Sequence, residues 1–230
     1  MSATNRPKNT IENGKKKRHK PHRREGDRYE TPSWATRAVL NALDLGSRSP
    51  KAPATILDPG CGSGAIIREA ARRFPNAVCL GVEIHPMLAA GPHEGYAVEC
   101  ADFLSWNGMP GFDLAIGNPP YNLAHEFICK AMEVAERVVF LLRLNYLGSM
   151  TRAAWHRAHP SNVYVLPKRP SFTADGKTDA CEYAWFEWPG EGRIGVLDLR
   201  GISPDVVLGE GVRMMPFASW KTDALRKEGK

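Results

Sequence analysis

Short apolar runs alternate with amphipathic stretches through most of the chain. Residues 55–58 form an apolar run that ends in a glycine-rich turn, which is typical of a buried strand. Apolar positions then recur with helical spacing over residues 66–74, leaving charged residues on the opposite face. Four further apolar runs predict strands at 77–83, 96–100, 112–117 and 138–144. The last run is apolar almost throughout, as expected of a central parallel strand covered on both faces.

The second half of the chain continues this alternation before its character changes. Helices are predicted around 86–90, along 127–138 and from 150 to 159, where Pro160 ends the last one. Strands are predicted at 162–166, 181–188 and 194–199, and residues 167–179 form a polar excursion. Residues 201–230 give only weak signals and are expected to be an extension of uncertain structure. Alternating strands and helices predict an α/β fold.

Basic residues are concentrated at the start of the chain. The protein has 230 residues, 43% of them hydrophobic, and a net charge of +6. Residues 1–26 carry nine Lys and Arg against two acids, a net charge of +7, so the remaining 204 residues sum to −1. We therefore expect a disordered basic tail over 1–26 and a folded domain over 27–200.

The tail has three interpretations. It is expected to attach to DNA through its phosphates, while a solubilising extension and a nuclear-import-like segment are the alternatives. No apolar stretch follows the basic run, so a signal peptide is not expected. The expected phosphate contacts are Lys15, Lys16, Lys17, Arg18, Lys20, Arg23 and Arg24.

The spacing of cysteines and histidines and the length of the apolar runs bear on the compartment of the protein and on metal binding. The five cysteines are widely spaced and form no Cys-x-x-Cys pair, and the seven histidines form no metal-ligand motif. No apolar run approaches the length of a membrane span. We expect a soluble, cytoplasmic protein without a metal.

A glycine-rich loop follows the first predicted strand. It reads Asp58-Pro59-Gly60-Cys61-Gly62-Ser63-Gly64, and Glu83 ends the next strand, 19 residues beyond Gly64. Glycines at a strand-to-helix turn let the backbone approach a ligand, and a carboxylate at that second strand end binds a ribose diol in doubly wound folds. Together they predict an adenosine-containing cofactor. The Gly-Lys-Ser/Thr of a triphosphate-binding loop is missing, which disfavours an NTPase.

A second motif follows the fourth predicted strand, at the sheet edge where such folds bind ligands. It reads Asn118-Pro119-Pro120-Tyr121. An amino nitrogen attached to a planar ring is a poor nucleophile, because its lone pair is delocalised. The Asn118 side-chain oxygen and the Pro119 carbonyl could accept its two N–H groups and localise that pair, and Tyr121 offers a stacking face.

These motifs, in this order, resemble those of S-adenosylmethionine-dependent amino methyltransferases, specifically the DNA adenine-N6 branch. Residues 141–149 and 183–186 resemble small phage and prophage enzymes of that branch. The resemblance implies a single Rossmann-like class I methyltransferase domain over 27–200, with a mostly parallel seven-stranded sheet and an antiparallel strand near its C-terminal end. It also implies direct in-line methyl transfer to a flipped-out base, and a restriction-modification context.

The resemblance also implies roles for single residues. Tyr29, Thr31, Pro32, Asp58 and the loop glycines Gly60, Gly62 and Gly64 would hold the methionine end of the cofactor, and Glu83 its ribose. Asp102 would bond its adenine amino group and Phe103 would pack on its adenine ring, with Asn118 also on the cofactor side. Arg169 and Phe172 resemble a later motif whose aromatic residue packs against the target base.

Several alternatives remain open. Phe172 could be a core aromatic, and Thr31 with Pro32 could simply begin a helix. RNA adenine and protein glutamine amides present the same planar nitrogen, and a noncatalytic DNA-binding module is a further alternative. Cytosine C5 transfer is disfavoured because no cysteine follows a proline. No long target-recognition region follows the motifs, so selectivity is expected from 167–179, the C-terminal segment or a partner.

Overall fold

One sheet with helices against both faces makes up the described part of the chain. The computed structural model describes residues 30–45, 52–172, 178, 180–189, 192 and 194–196. Its helices are α1 (Ser33–Leu45), α2 (Ala65–Arg73), α3 (Pro86–Ala89), α4 (Ala124–Val134) and α5 (Ala153–Ala158). Its strands are β1 (Thr55–Pro59), β2 (Val78–Glu83), β3 (Ala97–Cys100), β4 (Leu114–Gly117), β5 (Val138–Arg143), β6 (Asn162–Val165), β7 (Tyr183–Trp188) and β8 (Ile194–Val196).

The strand order is β3-β2-β1-β4-β5-β7-β6-β8. Strands β1 to β5 pair in parallel, and β7 runs antiparallel between β5 and β6. This confirms the predicted mostly parallel sheet with an antiparallel strand near its C-terminal end. The short strand β8 lies within the strand predicted at 194–199 and pairs in parallel with β6, so the sheet has eight strands where the family resemblance implies seven.

Alternate residues of the central strands enter two separate apolar cores. Ile56 on β1 packs with α1 and α2, whereas Leu57 packs on the opposite face with α4. On β5, Val139 and Leu141 belong to the first core and Phe140 to the second. Both faces are therefore covered, which explains why this strand is apolar almost throughout.

Helix α1 is longer than its sequence signals suggested. A helix entry at Thr31 and Pro32 is one of the two interpretations given above, and the helix begins next to them at Ser33; its extent to Leu45 was not predicted. The helix is anchored by a distant residue, because the Trp185 indole Nε1 donates to the Ala35 carbonyl at 3.1 Å. Conversely, α5 is shorter than the predicted helix at 150–159.

Several expectations fall outside the described residues: the basic tail, Tyr29, residues 173–177 and 179 of the polar excursion, and the 201–230 extension. Within the described ranges, no helix has both the length and the apolar character needed to cross a bilayer.

Candidate active site

The carboxyl ends of four parallel strands bring the predicted motifs to one edge of the sheet. The glycine-rich loop follows β1, Glu83 ends β2, Asp102 follows β3 and the tetrapeptide follows β4. Because these strands are parallel, the loops that follow them lie on the same side. The sequence motifs therefore form one site.

The glycine-rich loop is fastened to the end of β2. The Glu83 carboxylate is only 5% exposed. It accepts the backbone N–H of Gly62 at 2.7 Å and that of His85 at 2.9 Å. The Gly60 N–H donates to the Val82 carbonyl at 2.7 Å. Each carboxylate oxygen has a second lone pair, so Glu83 can order the loop and still accept a ligand hydroxyl.

The three glycines of this loop adopt left-handed backbone conformations, which favour glycine. Gly60, Gly62 and Gly64 have φ of 72°, 56° and 78°. A Cβ on Gly64 would also lie 2.1 Å from the Tyr96 hydroxyl oxygen. Position 64 therefore requires glycine for both backbone conformation and space.

Asp58 is a buried carboxylate without a hydrogen-bond partner among the described residues. It is 1% exposed, and neither carboxylate oxygen is satisfied. Burial raises the pKa of Asp58 well above its usual range, and repulsion from Glu83 adds to this. The Ile67 backbone N–H opposes the increase without forming a well-aligned hydrogen bond. An orphaned buried carboxylate is costly, so this position fits a cationic ligand.

Asn118 faces the site with an oriented side-chain amide. Its Nδ2 donates to the hydroxyl of the buried Thr31 at 3.1 Å. Its Oδ1 is buried and has no partner in the described structure. The preceding Gly117 is packed so closely that an added Cβ would lie 2.9 Å from Asp58 Oδ1. The unsatisfied oxygens of Asp58 and Asn118 are therefore on neighbouring parts of the site.

Tyr121 lies in a short 3-10 helix, Tyr121–Leu123, directly after the prolines. Its ring centroid is 5.8 Å from that of Tyr183, and the Arg143 guanidinium carbon is 5.0 Å from the Tyr121 centroid. Burial raises the pKa of the Tyr121 hydroxyl, so the side chain stays neutral at physiological pH. Pro119 is buried and Pro120 is exposed.

The two residues expected at the adenine of the cofactor lie in different environments. Asp102 is exposed, and its side chain accepts the Leu104 N–H at 3.0 Å. Phe103 is 2% exposed and packs on Phe127 with ring centroids 5.3 Å apart. It lies directly after Asp102 but belongs to the core in this structure.

The residues expected at the target base contact β7 and the residue before it. Phe172 is 5% exposed and contacts the Tyr183 ring edge-on at 5.0 Å, as the core-packing interpretation expects. It also lines a cavity of about 520 Å³ that includes Thr31 and Pro32. Arg169 pairs with Glu182, its Nε 2.8 Å from the carboxylate. Roles of Phe172 and Arg169 at a base stay predictions.

The sequence patterns did not predict two contacts of the site. The Thr31–Asn118 hydrogen bond links residues 87 positions apart, and no local pattern indicates it. Arg143 over Tyr121 had a usable signal, because it is the one charged residue in the apolar stretch that forms β5 and it ends that strand. In the described residues, no group of three or more potential ligands could hold a metal ion.

Comparison with known proteins gives partial matches to methyltransferases. No protein-family model matches the chain. A type II methyltransferase, M.CvrRI of Paramecium bursaria Chlorella virus XZ-6E, is 41% identical over 71 residues, covering 30% of this chain and 19% of that protein. A tRNA1(Val) (adenine(37)-N6)-methyltransferase of Vibrio cholerae is 40% identical over 78 residues, covering 30% of this chain and 32% of that protein. The chain thus spans a fifth to a third of these relatives.

A solved structure matches more of the chain. The Pyrococcus horikoshii protein PH1948, assigned as an RNA methyltransferase, superimposes with a TM-score of 0.53 at 19% identity. The match covers 69% of this chain and 85% of that protein. The strand order and this superposition agree that the chain has the class I, Rossmann-like methyltransferase fold.

Proposed function

We propose that the protein transfers a methyl group from S-adenosylmethionine to the N6 amino group of adenine in DNA. The observation that carries the proposal is the buried, unpartnered Oδ1 of Asn118, held in place by Thr31. An acceptor fixed in this way fits an incoming N–H donor.

The cofactor half of the proposal rests on the loops after β1 and β2. Methyltransferase relatives and structures of this fold imply S-adenosylmethionine as the cofactor, which supplies a sulfonium methyl group with a good leaving group. The ammonium of its methionine end matches the orphaned carboxylate of Asp58, and its ribose hydroxyls match Glu83. Gly60, Gly62 and Gly64 let the backbone approach it closely.

The acceptor half rests on the tetrapeptide. Asn118 Oδ1 and the Pro119 carbonyl would accept the two N–H groups of the amino nitrogen, which localises its lone pair for attack. Thr31 positions Asn118, because the Thr31 hydroxyl accepts the hydrogen bond from Asn118 Nδ2 and so leaves Oδ1 facing the site. Tyr121, with a neutral ring, offers a stacking surface for the extruded base. Positioning and fixed acceptors of this kind lower barriers by several kcal/mol in general.

DNA is the proposed acceptor because the motifs resemble the DNA adenine-N6 branch and the relatives of the chain include type II methyltransferases. The basic tail supports the proposal, since clustered lysines and arginines attract phosphate. A phage or prophage origin and a restriction-modification role are part of the same proposal, supported by relatives from viruses and by type II methyltransferases.

RNA adenine is a second candidate acceptor. By its name, the Vibrio cholerae relative acts on N6 of adenine 37 in a tRNA. The amino group of adenine in RNA has the same chemistry as the amino group of adenine in DNA. The site residues described above do not distinguish the two polymers.

An acceptor assay with labelled cofactor tests the proposal. Purified protein is incubated with methyl-labelled S-adenosylmethionine and separately with DNA, RNA and protein, followed by nucleoside analysis. We expect N6-methyladenine in DNA. Label in RNA only would transfer the function to the second candidate, and label in no nucleic acid would overturn both.

Substitution of Asn118 tests the site itself. We expect Asn118→Ala to abolish transfer while cofactor binding, measured by calorimetry, changes little. Asn107→Ala is the matched control, because Asn107 is exposed and lies in the loop before β4. Equal activity of the Asn118 and Asn107 variants would remove the catalytic assignment.

A further inference from the structure

A second cavity, of about 520 Å³, is lined by Tyr121 but by none of the residues of the cofactor loops. It is bounded by the 3-10 helix Tyr121–Leu123, the end of β5, and the segment that enters α5. Its position is therefore beyond β4, on the side opposite β1 and β2. A ligand there would lie beside the base-stacking residue and not over the cofactor residues.

The walls of this cavity carry more positive than negative charge. Arg143 and Arg152 line it together with the exposed Glu126, which is the one carboxylate among its lining residues. Arg143 lies over the Tyr121 ring and its Nε donates to the Tyr183 hydroxyl at 3.3 Å. One of the two cations therefore already contacts the residue proposed to stack on the base.

Arg152, another residue of the cavity wall, is held by two contacts with Tyr146. One guanidinium nitrogen donates to the Tyr146 carbonyl at 2.9 Å, and the guanidinium carbon is 4.4 Å from the Tyr146 ring centroid. Tyr146 is buried, and its hydroxyl is 3.2 Å from His125 Nδ1. No carboxylate pairs with Arg152 in the part of the chain that the structure describes. The cation is thus preorganised but not neutralised.

We propose that this cavity binds a backbone phosphate of the nucleic-acid strand next to the target nucleotide, through Arg152 with Arg143. The inference rests on the proposed function, because it places the extruded base at Tyr121. The sugar and phosphates of that nucleotide must then lie beside the stacking ring, which is part of the cavity wall. A planar guanidinium matches phosphate oxygens in geometry and charge, and an unneutralised arginine attracts an anion.

Charge-removing substitutions measure the contact. We expect Arg152→Gln to weaken binding of a short fluorescent DNA duplex about tenfold, and to reduce the logarithmic salt slope by about 0.9, the value for one lost phosphate contact. The KM for DNA should rise while kcat changes little. Arg152→Lys should retain the salt slope. Arg157→Gln is the control, because Arg157 is exposed on α5 and does not line the cavity.

A second variant keeps the test independent of the Arg152 packing. Thr151 is an exposed wall residue, so Thr151→Glu adds a carboxylate to the cavity without opening the core. We expect it to weaken duplex binding at low salt more than Ala154→Glu, which adds the same charge to an exposed position of α5 outside the lining.

The outcomes separate this inference from the proposed function. If the wild type methylates DNA but the Arg152 and Arg157 variants share one affinity and salt slope, and Thr151→Glu behaves like Ala154→Glu, the phosphate site is wrong and the function stands. If binding depends on Arg152 but no nucleic acid is methylated, the proposed function is wrong, and Arg152 is a phosphate contact without a target nucleotide beside it.

Discussion

The unpartnered carboxylate of Asp58 makes an unusual prediction, because the same substitution should stabilise the free protein and weaken cofactor binding. Asp58→Asn keeps the side-chain shape and removes the buried charge. An unsatisfied buried polar group costs about 1–3 kcal/mol, and a charged one costs more. The amide of the variant stays unsatisfied, so only the additional cost of the charge is removed. We expect this to raise the free energy of unfolding at pH 8 by about 1–3 kcal/mol.

The gain should depend on pH in a fixed direction. The pKa of Asp58 in the folded protein is raised by burial, so the native state holds a proton that the unfolded state releases. Stability of the wild type therefore falls as pH rises from the unfolded pKa towards the folded one. Asp58→Asn lacks this titration, so its advantage should be largest at alkaline pH and should shrink as the pH is lowered.

Cofactor binding should change in the opposite sense. A hydrogen bond to a charged partner contributes about 1.5–3 kcal/mol, so loss of the carboxylate should weaken S-adenosylmethionine binding roughly tenfold to a hundredfold. Thermal unfolding without ligand and calorimetric titration measure the two effects. In a chain of this size, 1 kcal/mol moves Tm by about 2–4 °C.

Asp113→Asn is the matched control. Asp113 Oδ2 accepts the N–H groups of Ala54 and Thr55 at 2.6 and 2.9 Å and the Thr55 hydroxyl at 3.2 Å. The same chemical change at this satisfied carboxylate should destabilise the protein and leave cofactor binding unchanged. If Asp58→Asn instead lowers Tm at pH 8 as the control does and binds cofactor normally, the assignment of Asp58 to a cationic ligand is refuted.

Three further predictions concern the supports of the site and of the sheet. Thr31→Val removes the hydroxyl that accepts the hydrogen bond from the Asn118 amide. We expect kcat to fall about tenfold, equivalent to roughly 1.4 kcal/mol, with unchanged cofactor affinity and with activity restored in Thr31→Ser. A normal kcat in the valine variant would contradict this. Gly64→Ala should lower Tm more than Gly62→Ala, because both have positive φ but only the Gly64 Cβ would collide with the Tyr96 hydroxyl; equal melting temperatures would show that space is not limiting. Glu187→Gln should cost about 1–3 kcal/mol, since this buried carboxylate accepts hydrogen bonds from β6 and the residue before β5; unchanged thermal unfolding would show that the network is not stabilising.

Apolar periodicity and the spacing of the motifs were enough to predict the fold class and the shared location of the main motifs. Apolar periodicity and turn residues act within a few positions of the chain, so β1, β2, β4 and β5 could be placed closely. A loop that follows a parallel strand must lie at its carboxyl end. The glycine-rich loop, Glu83 and the tetrapeptide were therefore predictable as one site.

The hydrogen-bond and packing partners of those residues could not be predicted in the same way. The Thr31 hydroxyl reaches Asn118, the Arg143 guanidinium covers Tyr121, and Phe172 enters the core against Tyr183. The full extent of α1 likewise depends on packing against α2 and Trp185. These contacts join residues far apart in the chain, and their geometry follows from how helices and sheet pack together. Periodicity and spacing carry no information about that packing, because they report only on local backbone and on which face of an element is apolar.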